Sequence, residues 1–255
     1  IISLTDYRRR YATYRTDKAL QAAHQQHAFL LVWDDHEVCN DAWLDGAENH
    51  QSNEGSYQAR KLAALQAYFE WMPIRPIDDQ HIKIYRQFDF GNLVQLTMLD
   101  TRIIARDKQL DYADYMTANG LNAAKFQADL TNPARTLMGY TQRDWLLGKL
   151  QQSNATWNVL GQQILMAKML IPTELLLSLA AIVSGNPSAE ALSQMNAQIT
   201  ELVKLKIRLQ QGDPTLTPQE KARVQTVAPY NLDAWDGYFV EREILYGTLA
   251  QLNKK

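Results

Sequence analysis

The chain opens on a helical pattern: Leu4, Tyr7, Tyr11 and Tyr14 recur at spacings of three and four, so residues 4–25 are read as helical. Arg8, Arg9 and Arg10 lie between them and are read as a solvated face. Ser3 with Asp6 makes a capping-box pair, and Asp17 is placed to start a second short helix. The run Ala28-Phe29-Leu30-Leu31-Val32-Trp33 has no polar alternation, which predicts a strand buried on both faces. It stops abruptly at Asp34-Asp35-His36-Glu37. Helical spacing returns from Gln58 to Trp71, with Leu62, Leu65, Phe69 and Met72 on one stripe and Pro73 closing it. Ile84 to Phe90 and Leu93 to Leu99 read as two strands joined by a two-residue Gly91-Asn92 hairpin turn, the second running into Asp100-Thr101-Arg102.

Residues 103–138 read as an irregular polar excursion. Thr141 is placed to begin a helix carrying Trp145, Leu146 and Leu150, with Asp144 in capping-box position. Trp157 to Ile164 is a candidate strand. From Pro172 to Arg223 the pattern is mostly helical, broken at Gly185-Asn186-Pro187 and Gly212-Asp213-Pro214, and suggests an inserted helical hairpin or lid. A last helix starts near Tyr238. Strands and helices mixed in this way predict an α/β protein.

Charge and composition mainly exclude. With 26 basic and 28 acidic residues among 255 the net charge is -2, so no nucleic-acid partner is expected. One cysteine, Cys39, rules out an internal disulfide and a multi-thiolate zinc site. The longest apolar stretch, 164–183, is interrupted by Lys168, Pro172 and Glu174 and makes a poor membrane span. The chain begins with Ile1 rather than Met, so the lack of a targeting signal carries no information. Phosphate-binding glycine loops, dinucleotide fingerprints, serine nucleophile elbows and His-Glu-x-x-His helices do not occur.

The chemistry concentrates between Trp33 and Asp41. Carboxylate and amide oxygens suit hard cations, and imidazole suits iron, zinc or manganese, so Asp34, Asp35, His36, Glu37, Asn40 and Asp41 read as part of a polynuclear metal site. The same residues also fit a polar turn with a helix N-cap. Arg102, beside Asp100, is either a bidentate phosphate grip or one half of a buried ion pair. The Asp233-Ala234-Trp235-Asp236-Gly237-Tyr238 stretch is a third candidate, with Trp235 and Tyr238 as core and Asp236-Gly237 as a sharp turn. His24, His27, His50 and His81 read as surface residues.

Tyr7-Arg8-Arg9-Arg10-Tyr11-Ala12, Tyr14-Arg15-Thr16-Asp17 and Trp33-Asp34-Asp35-His36-Glu37 with Asn40 together resemble the alkaline phosphatase D family. So do Ala67-Tyr68-Phe69-Glu70-Trp71-Met72-Pro73-Ile74-Arg75, Leu99-Asp100-Thr101-Arg102, Gln142 with Trp145-Leu146, Trp157, and Trp235-Asp236-Gly237-Tyr238. The blocks stand in family order from residue 7 to about 245. The resemblance implies a calcineurin-like metallophosphatase β-sandwich flanked by helices (α/β/β/α), hydrolysing phosphate monoesters and diesters by metal-activated water, with calcium and iron as metals. It implies Asp34, Asp35 and Asn40 as metal ligands and His36 as the histidine beside the scissile phosphate. Arg102 joins His36 as a catalytic candidate; the roles of Asp100 and Asp236 stay unassigned. Substrates would be small-molecule or polymeric phosphate esters, and the full-length parent would be periplasmic or secreted. The family's earlier Gly-Asp-x-x-Tyr and later Gly-Asp-x-His blocks do not occur in these 255 residues. The expectation is therefore one partial domain over 1–255, an internal piece with a helical insertion at about 170–228, inactive by itself. Two further functions stay open: a phosphodiesterase or phospholipase D-like activity on phospholipid or teichoic-acid-type substrates, and a non-catalytic relative kept as a binding module.

Overall fold

Reciprocal capping sets the first elements. The Asp6 amide donates to the Ser3 hydroxyl (3.3 Å) and the Ser3 amide to the Asp6 carboxylate (3.1 Å), starting α1 (Leu4–Tyr14) as expected. The Leu20 amide donates to Asp17 at 2.7 Å, so Asp17 starts the second short helix expected there, α2 (Lys18–Gln26). The short ribbon β1 (Ala42–Trp43) and β2 (Gly46–Ala47) follows, then α3 (Tyr57–Trp71), capped by Ser56. Strands β3 (Arg86–Phe90) and β4 (Val94–Met98) form the expected antiparallel hairpin. Phe90 pairs with Val94, so its link is three residues, with Gly91 at φ +59, rather than the two read from sequence.

This computed structural model describes residues 1–78, 82–118, 120–183 and 188–254. The expected surface position of His81 and the break at Gly185-Asn186-Pro187 lie outside the described residues. Residues 103–138 are less irregular than expected, holding the ribbon β5 (Met116–Thr117) and β6 (Gly120–Leu121) and the helix α4 (Ala123–Leu130). Beyond them come α5 (Gly139–Gln152) and β7 (Trp157–Gly161), then β8 (Leu170–Pro172), α6 (Thr173–Val183), α7 (Ala189–Gln210) and α8 (Pro218–Gln225), and finally β9 (Val227–Pro229) and α9 (Phe239–Gln251). The class is α/β.

The chain divides into two compact units. The first comprises Ile1–Gln109, Asn132–Leu165 and Val240–Lys255. Its sheet has the order β3-β4-β7, with β7 parallel to β4 (Leu96 opposite Val159). Trp33, Ala64, Leu65, Tyr68, Ile84 and Ile103 form its buried core. The second comprises Leu110–Thr131 and Met166–Phe239. There the antiparallel pair β8–β9 joins the two ends of the helical segment, whose core is Leu202, Leu205, Leu216 and Val224. The segment holds three helices rather than a hairpin, and Arg223 ties two of them together through Glu174 (2.8 Å) and Glu201 (2.6 Å).

Two expectations need correction. Residues 28–33 form no strand: no strand among the described residues pairs with them, and Leu30 is 39% exposed. The Leu31 carbonyl accepts instead from the Arg86 guanidinium at 2.6 Å. The apolar character of the run is used mainly by Trp33, fully buried edge-on against Tyr68 and Phe69. Nor does Asp144 cap α5; it pairs with Arg143 at 3.1 Å. Helix α5 begins earlier than expected, and the orphan amides of Leu137 and Met138 donate to the Glu241 carboxylate from α9. The Gly139 amide donates to the local Thr136 hydroxyl at 2.7 Å, so Thr136 and the tertiary partner Glu241 together satisfy the start of the helix.

Candidate functional site

The Asp34–Asp41 segment is a stack of tight turns fixed by its own carboxylates. The Val38 and Cys39 amides both donate to the Asp35 carbonyl at 2.8 Å, and no helix follows, so the turn reading holds rather than the N-cap. The Asp34 amide donates to the Glu37 carboxylate at 2.7 Å. The Asp41 amide donates to Asp35 Oδ2 at 2.6 Å, which holds Asp41 in the left-handed region at φ +50, tolerated by aspartate. Burial pushes the Glu37 carboxyl up, opposed by the Asp34 amide. Burial likewise raises the Cys39 thiol, so it has no thiolate character at neutral pH and is a packing residue.

Asp100 and Arg102 approach from just beyond the C-terminal end of β4. The loop is held by two glutamine side chains that imitate backbone. Gln142 accepts from the Asp100 amide (2.8 Å) and donates to its carbonyl (2.7 Å); Gln163 donates to the Leu99 carbonyl (2.7 Å). Asp100 is fully buried, and its carboxylate accepts from the Arg102 and Ile103 amides at 2.9 and 2.8 Å. Burial raises its pKa, against the pull of those amides and of the nearby Trp33 indole. The Arg102 Nε donates to Asp34 Oδ1 at 2.7 Å, and Nη2 lies 3.8 Å from Asp35 Oδ1. Of the two roles left open for Arg102, this geometry is the ion pair, made with Asp34 rather than Asp100 and only half-buried, since the Asp34 side chain is 45% exposed. Asp236 belongs to the other unit, where it accepts from the Met169 amide at 2.7 Å within the turn Trp235–Tyr238.

His36 is the exposed member of the cluster, with a side chain 76% accessible. Its Nε2 lies 2.8 Å from Asn40 Oδ1, which only accepts, so the proton sits on Nε2 at this contact. Asn40 Nδ2 in turn donates to Glu48, and His36 Nε2 is 3.8 Å from Asp35. Asp35, His36 and Asn40 are thus gathered in one turn. The carboxylates of Asp34 and Asp35 face Arg102; His36 and Asn40 face a groove.

That groove, about 640 Å³, runs between α1 and the turn. His36, Asn40, Tyr7, Tyr11 and the arginines Arg10, Arg15 and Arg60 all line it. Several of these were missed. Helical spacing had already put Tyr7, Tyr11 and Tyr14 on one stripe, and the solvated-face reading of Arg8, Arg9 and Arg10 holds, since all three are exposed; Arg10 also lines the groove, whereas Arg8 pairs with Glu70 outside it. His24, expected on the surface, stacks on Phe29 at 4.1 Å and lines the groove. His50 also departs from that reading: its side chain is 8% exposed, in contact with Arg60 at 3.1 Å and edge-on to Tyr57. Neither was legible, because flanking polar residues do not reveal tertiary packing.

The donors do not by themselves compose a metal centre. Among the described residues no group of three or more His, Cys, Asp or Glu side chains is arranged to hold an ion. Asp34 is committed to Arg102, and both ends of the Asn40 amide are engaged.

The model of the family described as PhoD-like phosphatase matches residues 1–255. The chain belongs to that family. It is 42% identical over 171 residues to alkaline phosphatase D of Bacillus subtilis (strain 168), covering 66% of this chain and 28% of that protein. A solved structure titled "Structure of PhoD" matches with a TM-score of 0.67 at 31% identity, covering 99% of this chain and 37% of that one. The chain therefore spans well under half the length of either relative. Among the described residues no helix is long and apolar enough to cross a membrane.

Proposed function

We propose that this chain contributes one side of the reacting cleft in a hydrolase of phosphate esters, with His36 as the group that protonates or stabilises the departing alcohol oxygen. The supporting observation is the position of His36: exposed on the groove, its tautomer set by Asn40, beside an Asp34–Arg102–Asp35 array in which Arg102 and Asp35 are buried. Arg102 is a positioning residue in this reading, since its guanidinium is turned to the two carboxylates. Asp34, Asp35 and Asn40 remain the proposed contributors to a calcium- and iron-containing centre. The donors within this chain do not fit a complete one, and no step is derived through it. The proposal extends to the two-sheet α/β/β/α sandwich, with β3-β4-β7 as part of it, to the helical insertion at about 170–228, and to a periplasmic or secreted parent.

The test compares p-nitrophenyl phosphate hydrolysis by the 255-residue chain and by a full-length protein carrying it, each with calcium and iron. The expected result is turnover by the full-length protein and little or none by the chain, which binds the metals weakly because too few donors converge. Robust turnover by the chain contradicts the incomplete donor set; none by the full-length protein favours the non-catalytic binding module. Bis-p-nitrophenyl phosphate, run in parallel, separates monoesterase from phosphodiesterase.

A further inference from the structure

The groove beside His36 is lined by three arginines and one carboxylate. Arg10 lies over the Tyr14 ring at 5.6 Å, and among the described residues it makes no ion pair with a carboxylate. Arg15 is anchored through Nη2, which donates to the Trp71 carbonyl at 2.8 Å, and among the described residues it too makes no ion pair with a carboxylate. Arg60 donates to the Asn49 carbonyl at 2.8 Å and to the Tyr7 hydroxyl at 3.2 Å, and the carboxylate it pairs with, Glu54 at 3.6 Å, is outside the groove. The one carboxylate of the lining, Glu37, is turned to the turn itself and accepts from the Asp34 amide at 2.7 Å. His24 has its pKa lowered by desolvation and then by the Arg15 charge, as expected beside a cation. Elsewhere the same helix behaves differently: Arg8 meets Glu70 at 2.5 Å. The lining also holds the rings of Tyr7, Tyr11 and Tyr14 and the aliphatic Leu20 and Met72, and Tyr11 is stacked in parallel on Trp71, with ring centroids 6.4 Å apart.

Two guanidinium groups that pair with no carboxylate among the described residues, next to aromatic faces in one cavity, recognise an anion joined to a flat apolar group. The volume suits a small organic molecule. We propose that this groove is the subsite for the organic substituent of the phosphate ester, with Arg10 and Arg15 holding phosphoryl oxygens and Tyr11, Tyr14, Leu20 and Met72 receiving an aromatic or similarly apolar group. The inference rests on the reading of His36 as the reacting edge, and it assigns the ester class preferred there: aryl or apolar-substituted phosphate over small hydrophilic ones.

Binding to the 255-residue chain, followed by NMR, tests it without any turnover. The probes are phenyl phosphate, inorganic phosphate and phenol. Phenyl phosphate is expected to bind most tightly and phenol not to saturate. Arg10→Gln is expected to weaken phenyl phosphate measurably, and Arg10→Gln with Arg15→Gln by about tenfold or more, as loss of charge-assisted contacts predicts. Tyr14→Ala, at a residue 61% exposed, is expected to bring phenyl phosphate down to the level of inorganic phosphate. Arg9→Gln, outside the groove, controls for net charge. Equal weakening by Arg9→Gln and Arg10→Gln, or binding untouched by the Arg10→Gln variant, overturns the subsite. If the binding pattern holds while a full-length protein shows no His36-dependent turnover, the hydrolase reading fails and the subsite stands. If turnover is His36-dependent but its KM for aryl esters ignores Arg10→Gln, the subsite fails alone.

Discussion

In a full-length protein carrying this chain, His36→Ala is expected to lower phosphate-ester turnover by about 10²–10⁴-fold, the range supplied by a positioned general acid. The fold should be unaffected, because the imidazole is 76% accessible and makes only the Asn40 contact at 2.8 Å and a longer approach to Asp35. The loss should appear in kcat more than in KM, since protonation of the leaving oxygen is a transition-state interaction. It should also shrink for esters whose alcohols are good leaving groups, which need less proton assistance. Turnover close to the unsubstituted level on a poor leaving group would remove His36 from the reaction. Asn40→Ala should give a smaller loss with an altered pH profile, because it frees the ring to change tautomer without deleting it.

Trp33→Ala is expected to destabilise the first unit by about 3–5 kcal/mol, read as a fall in the urea midpoint at unchanged slope. The indole is fully buried, and its edge-on contacts with Tyr68 and Phe69 tie the segment before the turn to α3. Removing it leaves a cavity among Tyr68 and Phe69, so the cost should exceed simple area loss. Trp33→Phe should cost less, since most of the packing survives. A cost below about 1 kcal/mol for Trp33→Ala would mean that the site can collapse, and that the turn does not depend on this anchor.

Local signals translated well where they were self-contained. Ser3 with Asp6, Asp17 before Leu20, and the Ile84–Leu99 hairpin each carry their own hydrogen-bonding partners in sequence, and each forms. The apolar run before Asp34 misled because a strand requires a neighbour, which periodicity cannot supply; the residues bury one indole instead. The start of α5 misled for the opposite reason: part of its cap comes from Glu241, about a hundred residues away. In the candidate site, the turn and the grouping of Asp35, His36 and Asn40 were legible, because they lie within six residues of each other. The Arg102–Asp34 pairing, the Glu48 partner of Asn40 and the arginine face of α1 were not, since each depends on which way a side chain turns in three dimensions.

The account turns on where the ester sits. A crystal structure of a full-length protein carrying this chain, grown with a bound phosphate or vanadate, measures that directly. The expected result is an oxyanion oxygen within about 3 Å of a His36 ring nitrogen, in the groove between α1 and the Asp34–Asp41 turn. An oxyanion held elsewhere, with His36 still bonded to Asn40 and open to solvent, would contradict it.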